Sequence, residues 1–180
     1  MLYRRTIIVR NVSMKARATL FILFVILLGC KKGSSPNTTL STALTDCPSN
    51  FNCTYHYYNN ADFVNAGDPV QGNFRLFSYQ TGEGNSCGPN SKFYFKIAPG
   101  ATNFDITSNQ IAEGKIFAYF FNCPCCDFGM FDMPIGGEIK GERTDATHWL
   151  VNASIVFGTS VTAPVDTLVV NQYFTQQPLP

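Results

Sequence analysis

The hexapeptide KFYFKI at positions 92–97 alternates along its length, so that Phe93, Phe95 and Ile97 fall on one face. A period of two is the pattern of a β-strand that buries one face against a core. Ala98-Pro99-Gly100 follows directly, and this composition is typical of a turn. The hexapeptide therefore predicts a half-buried strand that ends at a turn.

The same period continues on both sides of this hexapeptide, and glycine, proline and asparagine interrupt it about every ten residues. Further strands are predicted at Thr54–Tyr58, Val70–Gln80, Lys115–Phe121, Gly136–Arg143, Trp149–Phe157 and Thr167–Phe174. The segment 115–121 is apolar on both faces, which favours a central or covered strand. The segments 136–143 and 149–157 each have one polar and one apolar face, which predicts a hairpin. About seven or eight strands predict an all-β fold, either an antiparallel β-sandwich or a small barrel.

Length and charge restrict the classes of protein that this chain can belong to. With 180 residues, 14% aromatic and 14% charged, the chain has the composition of one folded domain and not of a disordered segment. After position 32, only six basic residues remain against all 12 acidic ones, a net charge of about -6. Because phosphate binding needs a basic surface, this balance argues against a nucleic-acid partner.

The first 29 residues have the composition of an export signal. Five basic residues and no acidic one precede an apolar run at positions 18–29. The run is shorter than the roughly 20 residues that span a bilayer, so it predicts a cleaved signal peptide over residues 1–29 and not a transmembrane helix. A shorter leader of the same kind begins at Met14, so either Met1 or Met14 serves as the start.

The leader ends in Leu27-Leu28-Gly29-Cys30, which resembles the lipobox of bacterial lipoproteins. The resemblance implies cleavage before Cys30, a diacylglycerol on its sulfur and a further acyl chain such as palmitate on its amine, which together anchor a protein stably in a membrane. Residues 30–45 are then the lipidated cysteine with a flexible tether, and residues 46–180 a single β domain. Without an acidic sorting signal after Cys30, the expected location is the outer membrane, facing the periplasm, with the cell surface as the alternative.

The remaining cysteines are predicted to form disulfides, because their number is even and an exported domain meets an oxidising compartment. They are Cys47, Cys53, Cys87, Cys123, Cys125 and Cys126. Cys125 and Cys126 are adjacent, and a bridge between neighbours is strained, so they are expected to reach Cys47, Cys53 or Cys87. The pattern leaves the pairing open.

A soft-metal site is the alternative interpretation of the same region. Thiolates and thioethers are the donors that copper(I) and zinc prefer. The candidate ligands are Cys123, Cys125, Cys126, Met130 and Met133.

Two other patterns bear on function. Tyr55, Tyr57 and Tyr58 place aromatic faces beside amides, which suits a shallow ligand site, although strand filling explains them equally.

Gly84-Asn85-Ser86-Cys87-Gly88 matches G-x-S-x-G but lacks the strand and helix of a nucleophile elbow, and neither His56 nor His148 has a distinctive neighbourhood. No catalytic residue is assigned. The sequence predicts a non-enzymatic envelope module that binds a ligand, a polymer or an envelope protein or has a structural role. A copper or zinc binder is the alternative, and a small hydrolase is the third possibility.

Overall fold

A computed structural model describes residues 39–64, 68–83, 88–125, 133–160 and 162–180. The chain from Thr39 to Pro180 forms one compact unit. The predicted signal peptide and Cys30 lie outside the described residues. Within the described ranges, no helix combines the length and the hydropathy needed to cross a bilayer.

The described part contains eight strands and one short helix. The strands are β1 (Phe51–Asp62), β2 (Val70–Glu83), β3 (Asn90–Ile97), β4 (Asn103–Ile106), β5 (Phe117–Asn122), β6 (Met133–Arg143), β7 (His148–Ser160) and β8 (Ala163–Gln176). The helix, α1 (Ser108–Glu113), lies between β4 and β5. The prediction of a β-rich fold with about eight strands is confirmed. Neither β4 nor α1 is predicted by the sequence patterns, because each is too short to show a period.

The strands form one sheet in the order β4-β6-β7-β8-β1-β2-β3-β5. All neighbours pair antiparallel except β1 and β8, which pair in parallel only through His56 with Thr175 and Tyr57 with Gln176. This short bridge joins two antiparallel groups of four strands. We call β1-β2-β3-β5 the first half of the sheet and β4-β6-β7-β8 the second half.

The sheet curls into half a barrel, so that the inner faces of the two halves meet. The rings of Phe77 on β2 and Trp149 on β7 have centroids 5.4 Å apart, and those of Tyr119 on β5 and Phe157 on β7 are 4.5 Å apart. The halves therefore pack face to face, as layers of a sandwich do, while belonging to one continuous sheet. A period of two specifies which side chains share a face and does not specify which strands are neighbours, which is why the sequence left this point open.

The inner face carries the main hydrophobic core. Phe93 and Phe95 of the KFYFKI hexapeptide are fully buried there, as the alternation predicts. The hairpin predicted from residues 136–143 and 149–157 is also present, as the antiparallel pair β6 and β7, with Ile139 buried in the core.

The doubly apolar segment forms β5, which is an edge strand and not a central one. Both of its faces are nevertheless covered. Phe117 lies in the inner core, while Phe120 packs on the outer face against a smaller cluster that contains Leu76 and Tyr94. On that outer face, Phe63 stacks on Tyr94 with ring centroids 6.1 Å apart.

Helix α1 connects the two edge strands, β4 and β5, and packs against β6 and β5. Its side chain Ile111 is buried in the inner core. The Ser108 hydroxyl accepts a hydrogen bond of 2.9 Å from the backbone N–H of Gly137. A Cβ atom at Gly136 would collide with the same hydroxyl, so glycine at this position allows the close approach of α1 to β6.

The compact unit overlaps with the predicted tether, residues 30–45. The backbone N–H of Thr45 donates to the carbonyl of Asn171 on β8 at 3.0 Å. The side chain of Asn152 on β7 donates to the carbonyl of Ser41 at 3.2 Å. The chain that leads into β1 is thus attached to the second half of the sheet.

Candidate functional site

Two arginines lie at one end of the inner face, one from each half of the sheet. Arg75 precedes the buried Phe77 by two residues on β2, and side chains two residues apart on a strand share a face. Arg143 on β6 is directly opposite Trp149 on β7. Since cross-strand partners also share a face, Arg143 stands on the same inner face as the buried Trp149.

The Arg75 guanidinium is held on two edges and over two rings. Its Nε donates to Asn59 Oδ1 at 2.9 Å, and its Nη1 donates to the carbonyl of Ala101 at 3.1 Å. Its central carbon lies 5.0 Å from the ring centroid of Trp149 and 5.8 Å from that of Tyr57. These are distances at which a cation is attracted to an aromatic face. The half-buried guanidinium is therefore fixed in one orientation.

The Arg143 guanidinium is exposed and bonded to the turn between β6 and β7. Its Nε donates to the carbonyl of Asp145 at 2.7 Å, and its Nη2 donates to that of Ala146 at 3.0 Å. The backbone N–H of Arg143 donates to the carbonyl of Thr102 at 2.9 Å, and Thr102 is the neighbour of the Ala101 that holds Arg75. The same short segment therefore places both arginines.

Tyr57 is linked to both arginines. Its ring is buried beside Arg75, and its hydroxyl lies 3.5 Å from the Ala146 carbonyl that also accepts from Arg143 Nη2. The same hydroxyl donates to Gln176 Oε1 at 3.2 Å. We call Arg75, Arg143 and Tyr57 the arginine rim. Burial is the main effect that lowers the pKa of Arg75, and the charge of Arg143 acts in the same direction.

The lysines and arginines of the domain differ in their partners. Each of the four lysines after position 32 is within 4.0 Å of a carboxylate; the pairs are Lys92 with Asp68, Lys96 with Asp62, Lys115 with Glu113, and Lys140 with Glu138 and Asp105. Among the described residues, neither Arg75 nor Arg143 has such a pair. The two guanidinium groups of the arginine rim therefore form no ion pair with a carboxylate in the described part of the chain, in a domain that is acidic overall.

Trp149 beneath Arg75 has a further peculiarity. Its indole Nε1 is buried and, within the described part of the chain, has no hydrogen-bond partner. Buried donors are paired in most proteins, so each exception marks an unusual environment. The chain contains one tryptophan, so this indole N–H can be observed without ambiguity.

Asp145 and His148 form an exposed pair on the turn beside Arg143. The Asp145 carboxylate accepts from the backbone N–H groups of Thr147 at 2.7 Å and of His148 at 2.9 Å, and it lies 2.9 Å from His148 Nδ1. The hydrogen bond from Thr147 is the largest effect that lowers the pKa of Asp145 to about 2, and the His148 side chain adds to it. The carboxylate thus organises the turn.

This pair lacks the arrangement of a catalytic triad. The Thr147 hydroxyl lies 3.1 Å from His148 Nδ1, the same nitrogen that Asp145 contacts. In a triad, the nucleophile and the carboxylate bond to opposite nitrogens of the imidazole, which allows the proton to be taken from the nucleophile. The other histidine, His56, lies on β1, and burial lowers its pKa.

The three tyrosines predicted as ligand candidates do not lie together. Tyr55 and Tyr57 pack in the inner core against Tyr79 and Phe77, with ring centroids 5.5 and 5.6 Å apart, whereas Tyr58 packs on the outer face. Burial, followed by the effect of Tyr79, raises the pKa of Tyr55 to about 12. Their described contacts are those of strand filling, and of the three only Tyr57 belongs to the arginine rim.

Two of the predicted disulfide cysteines bond to each other. Cys47 and Cys53 form a disulfide at the start of β1, with Cα atoms 5.8 Å apart. Of the three partners predicted for Cys125 and Cys126, this bond excludes Cys47 and Cys53, because the turn before β1 already brings these two together. Cys123 and Cys125 each form a disulfide as well. The remaining candidates, Cys87 and Cys126, lie outside the described residues.

The predicted metal ligands are described only in part. Cys126 and Met130 lie outside the described residues, and Met133 is the exposed first residue of β6. In the ranges that are described, no three histidine, cysteine, aspartate or glutamate side chains converge as metal ligands would. Copper or zinc binding therefore stays a prediction. Of the G-x-S-x-G pattern at 84–88, only Gly88 is described.

The arginine rim was missed by the sequence interpretation. Its members are far apart along the chain, and each stands in a segment whose period predicts only a strand. One signal was available: after the leader, Arg75 and Arg143 are the only arginines, while every other basic residue is a lysine. Arginine is the residue that binds carboxylates and phosphates in a fixed geometry.

Comparison with known proteins adds no assignment. No protein-family model matches the chain, and no curated protein and no solved structure matches it. The function is therefore argued from the residues themselves.

Proposed function

We propose that the chain is a membrane-tethered lipoprotein of the bacterial cell envelope, and that its β domain acts by binding a ligand, a polymer or another envelope protein and not by catalysis. The observation that carries the anchoring is the sequence Leu27-Leu28-Gly29-Cys30 directly after the apolar run of the leader. The proposed location is the outer membrane, with the domain facing the periplasm.

The cysteines support export. Cys47 and Cys53 are bonded to each other, and Cys123 and Cys125 are disulfide-bonded as well. Such bonds form and persist in oxidising compartments and are rare in the cytosol. Disulfides in the domain and a lipidation signal in the leader thus point to the same side of the membrane.

The geometry of the site supports binding over catalysis. The Asp145 and His148 pair is exposed, and its hydrogen bonds shape a turn. The inner face of the half-barrel is filled by aromatic and aliphatic side chains. A ligand is therefore expected to bind at the arginine rim or elsewhere on the outer surface. The arginine rim is the part of that surface whose positive charges form no ion pair within the described residues.

Metabolic labelling with palmitate tests the anchoring. We expect the full chain to incorporate label and to fractionate with membranes, whereas Cys30→Ser abolishes the label and releases the protein. Ser35→Ala, in the same polar segment, is the matched control and keeps both properties. Label retained in Cys30→Ser, or an unlabelled wild-type chain, would contradict the proposal.

Alkylation without reduction separates the structural role of the cysteines from metal binding. We expect no thiol of the full chain to react before reduction, and no copper or zinc to copurify. If thiols react only after chelation, and about one metal ion per chain is released, the cysteines form a metal site and the binding-module proposal fails.

A further inference from the structure

We infer that the arginine rim binds a carboxylate group, so that the ligand of this domain is a carboxylate-bearing molecule held by Arg75 and Arg143. This inference rests on the proposed binding function and adds the chemical class of the ligand. It draws on three observations: the charge of the rim, the orientation of its donors and the position of Asp145.

The charge of the rim is unusual for this domain. The domain carries twice as many acidic as basic residues, and its four lysines all have carboxylate partners. Arg75 is half-buried and has no such partner among the described residues. Withdrawing a charge from water without a counter-charge is unfavourable, and an anionic ligand would supply that counter-charge.

The donors of the rim are already oriented. Arg75 uses Nε and Nη1, and Arg143 uses Nε and Nη2, on neutral oxygen atoms of the protein. Their described hydrogen bonds leave Nη2 of Arg75 and Nη1 of Arg143 available to a ligand. A planar guanidinium in a fixed orientation matches a planar carboxylate, and the entropy cost of binding is small because the side chains are already ordered.

Asp145 favours a carboxylate over a phosphate. Its backbone carbonyl accepts a hydrogen bond from Arg143, and its carboxylate acts on the pKa of Tyr57, so the carboxylate lies near the rim without pairing with either guanidinium. With a pKa of about 2, this carboxylate is ionised at neutral pH, which reduces the net charge around the rim from two positive to one. A carboxylate ligand balances that net charge, whereas a doubly charged phosphate would leave one excess negative charge beside Asp145.

The single tryptophan provides the readout. The Trp149 indole N–H lies in the ring on which Arg75 stacks, and no described group bonds to it. We would follow its NMR resonance in the full chain in detergent while adding benzoate, with benzamide as the uncharged analogue and inorganic phosphate as a second anion, all at constant ionic strength. The variants are Arg75→Gln and Arg143→Gln, with the exposed helix-end lysine in Lys115→Gln as the matched control.

We expect a saturable shift with benzoate and none with benzamide. Arg75→Gln should weaken benzoate binding by about tenfold or more, and Arg143→Gln should weaken it severalfold, while Lys115→Gln leaves it unchanged. An equal response to benzamide, or unchanged binding in Arg75→Gln, would overturn the inference. Saturable binding of phosphate without binding of benzoate would overturn the carboxylate assignment.

Two controls keep the result decisive. If Arg75→Gln does not fold, Arg143→Gln decides the question, because Arg143 is exposed and its loss leaves the core intact. The titration is repeated on Cys30→Ser, which lacks the lipidation site. If Cys30→Ser still binds benzoate, the ligand site does not depend on the anchor, so it can be correct even if the anchoring proposal is wrong. If the wild-type protein is anchored but does not bind benzoate, the anchoring proposal is supported and the ligand inference is wrong.

Discussion

The two halves of the sheet build one core from different side chains. The inward positions of the first half are aromatic apart from Cys53 and Ile97; the aromatic ones are Tyr55, Tyr57, Phe77, Tyr79, Phe93, Phe95, Phe117 and Tyr119. Those of the second half are largely aliphatic with a few rings between them: Phe104, Ile106, Ile139, Trp149, Val151, Ala153, Ile155, Phe157, Leu168, Val170 and Phe174. The difference shows how the halves hold together.

Within the described residues, strand pairing joins the halves at two residue pairs between β1 and β8. Side chains make further contacts. Phe77 of the first half lies 5.4 Å from the ring of Trp149 and 5.8 Å from that of Phe174, both in the second half. Large rings reach across a gap that short aliphatic side chains would leave open, so the aromatic half couples the two.

Removing the central ring should break this coupling and have the largest effect. Phe77→Ala deletes a fully buried ring that contacts both halves. We expect it to lower the free energy of unfolding by about 3–5 kcal/mol. Guanidinium denaturation followed by Trp149 fluorescence measures the change. If the free energy of unfolding falls by no more than the amount expected for removing one buried methyl group, other contacts hold the halves together.

Removing the disulfide should have the next largest effect, within the first half. Cys47 and Cys53 are six residues apart, so the closed loop is short. We expect the double variant Cys47→Ser, Cys53→Ser to lose about 2 kcal/mol of stability, because the bond restricts the unfolded chain. The matching measurement is the unfolding midpoint with and without a reductant. If reductant lowers the unfolding midpoint of the double variant as much as that of the wild type, the bond between Cys47 and Cys53 does not stabilise the domain.

A conservative deletion in the second half should sharpen the comparison. Ile155 is fully buried and faces the core from β7. Ile155→Val removes one methylene group, and we expect a loss of about 0.5–1.5 kcal/mol by thermal or chemical unfolding. A loss as large as that of Phe77→Ala would mean that the aliphatic half, and not the aromatic one, dominates the core.

The smallest expected effect on stability comes from Asp145, in the turn between β6 and β7 of the second half. The pKa of Asp145 is lowered to about 2 in the folded protein, against about 3.9 for an unfolded aspartate. Because the folded state prefers the ionised form, its stabilising effect is present above about pH 4 and is lost as the pH falls towards 2. NMR titration of the Asp145 carboxyl should show a midpoint near 2, and Asp145→Asn should lack this part of the acid dependence. A midpoint near 4 would show that the turn does not hold the carboxylate.

Features with a local signature were predictable from the sequence. The KFYFKI hexapeptide and the β6–β7 hairpin were identified because alternation along a strand is visible within a few residues. Four residues of β4 and six of α1 are too few to show a period. The pattern of β5 predicted a central or covered strand without choosing between them. The structure has a covered edge strand, whose apolar outer face contacts Tyr94 and its neighbours and not further strands.

The sequence by itself determined the β class, the inward faces of most strands, the acidic charge of the domain and the even number of its cysteines, because each depends on composition or on near neighbours. Only the tertiary structure decided that β8 pairs with β1, that Cys47 bonds to Cys53, and that Arg75 and Arg143 lie at the same end of the core. These contacts join residues whose proximity depends on how strands pair and loops close. Periodicity along the chain carries no information about that choice.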